Sequence, residues 1–453
     1  MSKMFTIKAS EAHGSRLDPS FYSPQYKQLD EAFASCCYDC YEIRDLRIEV
    51  FQGVSRNLLE NDRIRLLKVK NILPDGSIDF GDTEPISDVS VNKILKDGDI
   101  ISPFIGAAIK GYKFGYFEDR EGERWTFDNN TGVFRNNDER VLSRYLWSFF
   151  QLEITHRQLD RIIGGGGVPY LGAEYAKRLK VILPPLPEQR KIVAELDAAY
   201  AAKRAADERA AKLLASIDDM VLKELGIANL PKPDTSLSSR IFTVPAREVH
   251  NGRLDSIAYQ SMRRQFYKNV CAGTYEILRL NEIVDVDRRQ TDSLGGLTYV
   301  GLENINGEDG SYCPTSDKES ISTAVLFRKD EILFPKLRPY LNKVWLADFD
   351  GAASTEFFPL ISNGVSPEYL IAYLRLTQVA KVMTLLMTGN TLPRVQLEDV
   401  LSLPVPIPPR TVQDRIASTA SSIRAEARKL KADATAALDA VKRGIEMEIV
   451  RER

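Results

Sequence analysis

The chain contains an internal repeat with a very long period. The segment 5–18 returns as the segment 242–255, with Phe, Thr, Ala, Glu, His, Arg, Leu and Asp in the same order at a constant offset of 237 residues, from Phe5 to Phe242. This period exceeds that of any solenoid repeat, so each copy is expected to be a whole domain with its own core. Two similar but diverged domains favour a protein that binds a pseudo-symmetric partner twice.

A second pair of matching segments lies near the end of each half. The run from Pro184 to Ile192 matches the run from Pro408 to Ile416, and 168–171 matches 392–395, all at an offset of 224 residues. The offset falls from 237 to 224 along the halves, so the second body is shorter while its ends are retained. A common scaffold around a variable surface would produce this pattern.

Each body mixes strand-like and helix-like patterns. Short β-rich runs at 99–103 and 331–335 are bounded by turn-forming residues, which is typical of strands. Matching helix-like runs occur at 143–150 and 367–374. These patterns predict an α+β fold for both bodies.

A long helix is predicted after each body, because apolar or small residues recur at alternating spacings of four and three. The first stripe consists of Ile192, Leu196, Ala199, Lys203, Ala206, Ala210, Leu213, Ile217 and Met220, and the second of Ile416, Ala420, Ile423, Ala427, Leu430, Ala434, Ala437, Val441 and Gly444. Pro187 and Gly226 are ordinary boundary signals for the first helix.

The two stripes match in length and in their content of alanine. Helices of about 38 residues would each be roughly 57 Å long, and alanine allows close helix packing. We therefore expect the two helices to pack antiparallel as an intramolecular coiled coil, with pseudo-two-fold symmetry between the halves. The alternative, two independent surface helices, would leave long apolar stripes uncovered.

Composition narrows the class of protein. The net charge of −2 excludes a strongly basic wrapper of nucleic acid, so any DNA binding would use local patches. We expect a cytoplasmic protein, since no apolar run is long enough to span a bilayer and the start lacks a signal-peptide core. Five cysteines argue against a disulfide framework, and the Cys37–Cys40 CxxC lacks the further ligands of a zinc site.

Motifs that would make the chain an enzyme are missing. It contains no phosphate-binding Walker motif and no GxGxxG, and Pro184-Pro185 is flanked by leucines rather than by the residues of an adenine-methylating motif. His13 and His250 occupy equivalent repeat positions, which favours a shared structural role. The glycines at 164–167 are followed by no lysine, so we expect a turn that approaches DNA rather than a phosphate loop. We therefore expect a non-catalytic chain that contains no metal site and no cofactor.

Three segments resemble the specificity subunit of type I restriction-modification systems. They are the hinge Leu183-Pro184-Pro185-Leu186-Pro187-Glu188-Gln189-Arg190-Lys191-Ile192, the run 330–343 (DEILFPKLRPYLNK) and the run 354–358 (STEFF). The resemblance covers essentially the whole chain, and it carries expectations for fold, function and partners.

The resemblance implies two target-recognition domains, each of which reads one half of an asymmetric bipartite DNA site. The helices would set the unread spacer and dock two methylation subunits that carry S-adenosylmethionine, and separate restriction subunits would cleave DNA with ATP. The expected domains are 1–187 (first target-recognition domain), 188–226 (first helical spacer), 227–241 (linker), 242–408 (second target-recognition domain) and 409–453 (second helical spacer).

Candidate DNA contacts are basic, amide and aromatic residues on expected loops. The strongest run is 336–343, and its counterpart is 106–113. The full set of expected DNA-binding residues is Gln52, Ser55, Arg56, Lys110, Tyr112, Lys113, Arg288, Arg289, Gln290, Lys336, Arg338, Tyr340, Lys343, Thr391 and Arg394. Each of these could equally be an ordinary solvated surface residue.

Other functions are compatible with the same patterns. The two bodies could bind proteins, with the helices as a spacer in a scaffold that does not bind DNA. The first half could also self-associate through its helix and recognise a palindromic site. A self-contained nuclease or methyltransferase is the weakest alternative because its motifs are missing.

Overall fold

The computed structural model describes residues 19–54, 64–86, 93–119, 122–163, 168–231, 236, 241–245, 259–315, 322–389 and 391–451. The chain divides into two compact units: unit 1 comprises Met1–Ala205 and Asp433–Arg453, and unit 2 comprises Ala206–Ala432. Both units combine helices with small sheets, so the predicted α+β class is confirmed.

The two units contain similar successions of elements. The elements before the first long helix are α1 Lys27–Ser35, β1 Asp39–Glu42, β2 Ile48–Gln52, β3 Ile64–Leu67, β4 Glu84–Ile86, β5 Ile100–Pro103, β6 Gly115–Tyr116, β7 Arg124–Phe127, β8 Thr131–Asn136, α2 Ser143–Phe150, α3 Glu153–Ile163, α4 Gly172–Ala176 and β9 Lys180–Leu183. The long helix α5 spans Leu186–Leu225.

The elements that follow are α6 Ser261–Cys271, β10 Ile277–Arg279, α7 Leu280–Ile283, β11 Val284–Val286, β12 Gln290–Thr291, β13 Thr298–Val300, β14 Ala324–Phe327, β15 Ile332–Pro335, β16 Trp345–Leu346, β17 Gly351–Ser354, β18 Phe357–Ser362, α8 Pro367–Leu374, α9 Thr377–Leu385, α10 Leu397–Leu401, β19 Pro404–Pro406 and the second long helix α11 Arg410–Ile449. Strands β5 and β15 and helices α2 and α8 lie where the sequence predicts them.

Each unit contains a four-stranded antiparallel sheet with the same strand order. The order is β2-β8-β5-β6 in unit 1 and β11-β18-β15-β16 in unit 2. The registers correspond, since Ile100 lies opposite Phe134 and Ile332 lies opposite Leu360. All four residues of β5 and of β15 are buried, which explains why these runs are apolar in the sequence.

Each unit also contains a second sheet, and these two sheets differ in their number of strands. It has the order β4-β3-β7 in unit 1 and β12-β14-β17-β13 in unit 2. Each contains one parallel pair, β3 with β7 and β13 with β17. Two-stranded antiparallel sheets, β1 with β9 and β10 with β19, lie just before the long helices.

A buried glutamine fixes the start of each long helix. Gln189 is fully buried; its Oε1 accepts from the Leu142 N–H at 2.9 Å, and its Nε2 donates to the Pro184 carbonyl at 2.9 Å. Gln413 makes the same two contacts, with the Ser366 N–H at 2.9 Å and with the Pro408 carbonyl at 2.9 Å. These bonds attach α5 to α2 and α11 to α8.

The long helices contribute to the core of both units. In unit 1 the beginning of α5 and the end of α11 share one apolar cluster, and Lys191 Nζ lies 2.7 Å from Glu448 Oε1. In unit 2 the end of α5 and the beginning of α11 share another cluster, and Arg415 Nη2 lies 2.6 Å from Glu224 Oε2. The paired segments are therefore antiparallel within each unit.

The predicted stripes need one correction. Along α11 the residue Ala437 is exposed, while Leu438 is 5% exposed and belongs to the unit 1 core. The other stripe positions are buried or half-buried. Because a straight helix has 3.6 residues per turn, a strict heptad pattern drifts away from the core over several turns.

Within the described part of the chain, no helix is long and apolar enough to cross a membrane. No group of three or more His, Cys, Asp or Glu side chains in that part could hold a metal ion. All five cysteines are free thiols.

Candidate nucleic-acid interface

The loop after the buried central strand is fixed in the same way in both units. In unit 1, Gly106 N–H donates to the Pro169 carbonyl at 2.8 Å, and Leu171 N–H donates to the Phe104 carbonyl at 2.9 Å. The loop that follows β5 is thereby joined to the turn that precedes α4.

The loop after β15 repeats these contacts. Arg338 N–H donates to the Pro393 carbonyl at 3.1 Å, and Val395 N–H donates to the Lys336 carbonyl at 3.0 Å. The structure therefore brings together most of the expected DNA-binding residues of the second half, from Lys336 to Lys343 with Thr391 and Arg394.

Three of the expected cations in and beside the loop after β15 already have partners. Arg394 forms a bidentate pair with Glu356, with its Nη2 2.6 Å from Oε1. Lys336 Nζ donates to the Thr355 carbonyl at 2.5 Å, and Lys343 Nζ donates to the Leu302 carbonyl at 2.6 Å. Glu356 holds the pKa of Arg394 above its usual value, and burial lowers the pKa of Lys336. These side chains stabilise the loop before any ligand is bound.

Arg338 differs from these three cations. It is exposed and makes no side-chain hydrogen bond or ion pair within the described part of the chain. Its φ of 49° places it in the left-handed region, which non-glycine residues occupy rarely and mostly for a reason. Tyr340 beside it is 48% exposed, and Thr391 is also exposed. Arg338 and Tyr340 are thus the most available groups of the loop.

The corresponding loop of unit 1 presents different groups. Lys110 is exposed and Lys113 is half-buried, and neither has an ion-pair partner among the described residues. Tyr112, with a φ of 47°, donates its hydroxyl proton to Asp160 Oδ1 at 2.7 Å. Its ring stacks on His156 with 4.3 Å between centroids. Burial, and next the Asp160 carboxylate, raise the pKa of Tyr112.

The expected contacts near the first variable region lie at the ends of β2 and β11. Gln52 Nε2 donates to the Asn129 carbonyl at 3.1 Å, and the adjacent Asn130 carbonyl accepts from Phe104 N–H at 2.8 Å. Gln52 therefore lies close to the loop after β5.

In unit 2 the equivalent segment contains one paired and one available arginine. Arg289 Nε donates to both carboxylate oxygens of Asp287, at 3.0 and 2.8 Å, and this pairing raises the pKa of Arg289. Arg288 is exposed and has no ion-pair partner in the described part. Gln290 is exposed and begins β12, where it lies opposite Val325.

Some expected residues lie outside the described residues. They are Ser55, Arg56, the glycines at 164–167, His13, His250 and most of the repeat that opens each half. Their predicted roles stay predictions.

Sequence reasoning missed the partners that hold these loops. Glu356, Asp160 and His156 are separated from their partners by tens of residues, so no local pattern marks them. Gln189 and Gln413 did have a signal, because the glutamine is retained at equivalent positions in a repeat whose neighbouring residues differ.

Comparison with known proteins finds sequences and structures that are similar to this chain. The sequence model of the family described as "Type I restriction modification DNA specificity domain" matches residues 75–212. This range includes the loop after β5, the turn before α4 and the hinge at Gln189. The type I restriction enzyme EcoDI specificity subunit of Escherichia coli is 23% identical over 325 residues, which are 64% of this chain and 70% of that protein.

Three solved structures are similar over most of their length. A chain from a study of complex assembly and conformational transition of the type I R-M system has 14% identity, a TM-score of 0.45, and coverage of 92% of this chain and 95% of that chain. The HsdS subunit from Thermoanaerobacter tengcongensis has 15% identity, a TM-score of 0.31 and coverage of 93% and 95%. The type I S subunit from M. genitalium has 10% identity, a TM-score of 0.39 and coverage of 92% and 97%.

The sequence matches agree with the resemblance carried by the hinge and by the runs 330–343 and 354–358. Residues 75–212 therefore match the DNA specificity domain of type I restriction-modification systems, and the chain is similar in sequence to a type I specificity subunit.

Proposed function

We propose that each unit reads one half of an asymmetric bipartite DNA site through the loop that follows its buried central strand. The observation that carries this proposal is the pair of loops fixed by equivalent backbone bonds but carrying different side chains: Phe104 and Gly106 in one unit, Lys336 and Arg338 in the other. Because the two loops have equivalent backbone contacts but different side chains, they would present two different surfaces to DNA. The target is then expected to be asymmetric rather than palindromic.

The charge distribution supports local rather than general contact with DNA. The net charge is only −2, so attraction to phosphates must come from individual available cations. In the described part of the loops these are Lys110, Lys113, Arg288 and Arg338. An unpaired arginine is suited to bidentate contact with guanine in the major groove, whereas lysines are suited to phosphates.

The long helices are proposed to act as the spacer and as the docking element. We infer an antiparallel intramolecular coiled coil, since the end of α11 packs with the beginning of α5 in unit 1 and the reverse holds in unit 2. Two methylation subunits carrying S-adenosylmethionine would bind the repeated frame, and restriction subunits would join them. The duplication, the domain boundaries given above and the pseudo-two-fold symmetry stay predictions.

Selection from random duplex DNA with the assembled complex tests this function. A bipartite consensus with two different halves and a fixed unread gap is expected. Mapping methylated adenines in cells that express this chain with its methylation subunit should return the same site. Exchange of residues 99–113 for their counterpart 331–343 should change only one half of the consensus.

The rival function, a protein scaffold that does not read DNA, makes the opposite prediction. No sequence would be enriched by the assembled complex, and replacement of the loop residues would change the binding of proteins only. Enrichment of a single palindrome would instead indicate recognition by self-associated first halves.

A further inference from the structure

A cavity of about 360 Å³ in unit 2 is lined by charged and amide side chains from three elements. Arg375 follows the end of α8, Arg424 lies on α11 and Asp218 lies on α5, and Asn342 from the loop after β15 completes the polar lining. We propose that this cavity binds inorganic phosphate that still carries a proton, and that the bound ion joins the long helices to the body of unit 2.

The two arginines supply donors that the protein leaves unused. Arg375 is 6% exposed, and its Nη1 donates to the carbonyls of Asn342 and Val344 at 2.7 and 2.8 Å while Nη2 donates to that of Gly307 at 2.9 Å. A guanidinium has five N–H groups, so two of those of Arg375 have no acceptor in the described part of the chain. Arg424 makes no side-chain hydrogen bond within the described part of the chain.

The charges around the cavity favour an anion. Glu308, which lines the cavity, is paired with Lys431, and the buried Asp309 nearby is paired with Arg428 at 3.4 Å. Two guanidinium groups, those of Arg375 and Arg424, then remain beside the carboxylate of Asp218. That carboxylate accepts from Thr377 N–H at 2.9 Å. Burial, and next the positive charge of Arg424, lower the pKa of Arg375 to about 9. An anion between the guanidinium groups would remove this repulsion.

The lining also contains acceptors, and these select the kind of anion. Asn342 Nδ2 donates to the Arg375 carbonyl at 2.8 Å, whereas its buried Oδ1 has no hydrogen-bond partner in the described part of the chain. A buried acceptor without a donor is costly, and Asp218 is a second acceptor. Hydrogen phosphate can donate an O–H to them, but sulfate cannot. A phosphate monoester loses its last proton at a pKa of about 6, so inorganic phosphate fits better at neutral pH.

At the equivalent place in unit 1, two neutral residues occupy the positions of the two arginines. At the offset of 224 residues that aligns the hinges, Arg375 corresponds to Gln151 and Arg424 to Tyr200. Tyr200 is 2% exposed, donates its hydroxyl proton to Gln151 Oε1 at 3.2 Å, and packs against Trp147 with 5.3 Å between ring centroids. A neutral pair is therefore sufficient to join a long helix to a body, so packing alone does not account for two arginines in unit 2.

Thermal unfolding of the full chain in phosphate tests the proposal. At constant ionic strength, phosphate is expected to raise Tm by about 2–4 °C and to saturate, as binding to the native state requires. Sulfate should give a clearly smaller rise. Arg424→Gln should abolish the phosphate effect, while Arg443→Gln, an exposed arginine on the same helix, should leave it unchanged. Isothermal titration calorimetry with phosphate should give one site per chain.

Several results would overturn the proposal. No saturable rise in the wild-type chain would exclude the site, and so would a rise that persists in Arg424→Gln. A rise abolished by Arg338→Gln would place the phosphate on the candidate DNA surface. Equal rises in sulfate and phosphate would refute the role of the O–H group. If Arg424→Gln does not fold, the double variant Arg375→Gln with Arg424→Tyr introduces the unit 1 pair, and it should fold without responding to phosphate.

Discussion

The two units share the hydrogen bonds that fix the start of each long helix and the loop after each buried central strand. They differ in the side chains that these loops carry. Gln189 and Gln413 make matching contacts at equal distances. In contrast, the loops that are fixed by equivalent backbone bonds carry Gly106 in one unit and Arg338 in the other. Backbone bonds do not depend on side-chain identity, so the reading surface can diverge without loss of the frame.

The largest difference between the units is expected in the stability lost when the arginine that pairs with the acidic residue just before the central strand is replaced. In unit 1, Arg135 and Asp99 form a buried bidentate pair, with Nε–Oδ1 and Nη2–Oδ2 distances of 2.9 and 2.6 Å. In unit 2 the counterpart Glu331 lies 3.8 Å from Arg289, which is 45% exposed. Arg135→Met should lower the free energy of unfolding by about 3–5 kcal/mol, because it leaves a buried carboxylate without its partner. Arg289→Met removes the partner of both Asp287 and Glu331, but it should cost only about 1 kcal/mol, since water can replace part of the exposed guanidinium.

Urea unfolding of both variants measures this contrast. Equal losses would mean that water does not take the place of the exposed Arg289 guanidinium beside the buried carboxylates of Asp287 and Glu331. Such a result would remove the difference in burial on which the comparison depends.

The second prediction concerns the shared frame. Gln189→Leu leaves the Leu142 N–H and the Pro184 carbonyl without partners, and each buried unsatisfied group costs about 1–3 kcal/mol. We expect a loss of about 3 kcal/mol for Gln189→Leu and a similar loss for Gln413→Leu. The exposed Gln28 of α1 provides a control, because Gln28→Leu should change stability by less than about 0.5 kcal/mol. A large effect in one unit only would show that the hinges are not equivalent.

The third prediction concerns the pH dependence of unit 1. The side chain of His156 is largely buried, with 17% of it exposed, and this burial, together with the charge of Lys442, lowers its pKa to about 4. The unfolded chain has a histidine pKa of about 6.5, so between these values the unfolded state binds more protons and stability falls as pH falls. The fall between pH 7 and 4.5 should reach about 2–3 kcal/mol. The equivalent position in unit 2 is Ala380, which cannot titrate.

His156→Phe keeps a ring against Tyr112 and removes the titration. The difference in stability between wild type and variant should therefore change with pH over this range and be constant above pH 7, as measured by urea unfolding at several pH values. Parallel pH profiles for the two proteins would contradict the burial of a neutral histidine.

The sequence predicted the frame better than the site. Strands β5 and β15 are buried on both faces, so their apolar runs are unambiguous, and the long helices repeat one residue pattern over many turns. The sequence could not predict which loop cations have a partner. Glu356, for example, lies 38 residues before Arg394 along the chain, and local spacing carries no information on such distant pairs. The sequence also gave no sign that Arg375 and Arg424 line one cavity.

The fourth prediction separates available from paired arginines in unit 2. Arg338→Gln should weaken specific DNA binding by the assembled complex by about 1–3 kcal/mol and relax one base position, as expected for an arginine that contacts guanine. Arg394→Gln removes the pair with Glu356. It should therefore lower the melting temperature and leave the base preference nearly unchanged. Binding selections compared with melting temperatures would distinguish the two effects. Relaxed base preference in Arg394→Gln alone would reverse the assignment.

The smallest expected effect concerns the lysines of the unit 1 loop. Lys110 and Lys113 have no ion-pair partner among the described residues, so each can neutralise a phosphate and release a counterion. Lys110→Gln and Lys113→Gln should each weaken binding to all sequences alike and reduce the slope of log K against log salt by about 1. Lys343→Gln is the matched control, because the Lys343 ammonium already donates to the Leu302 carbonyl and should alter the slope less. If Lys343→Gln changed the slope as much as Lys113→Gln, a hydrogen bond to a carbonyl would not prevent a lysine from contacting DNA. The paired and the available cations of the two loops would then contribute equally to DNA binding.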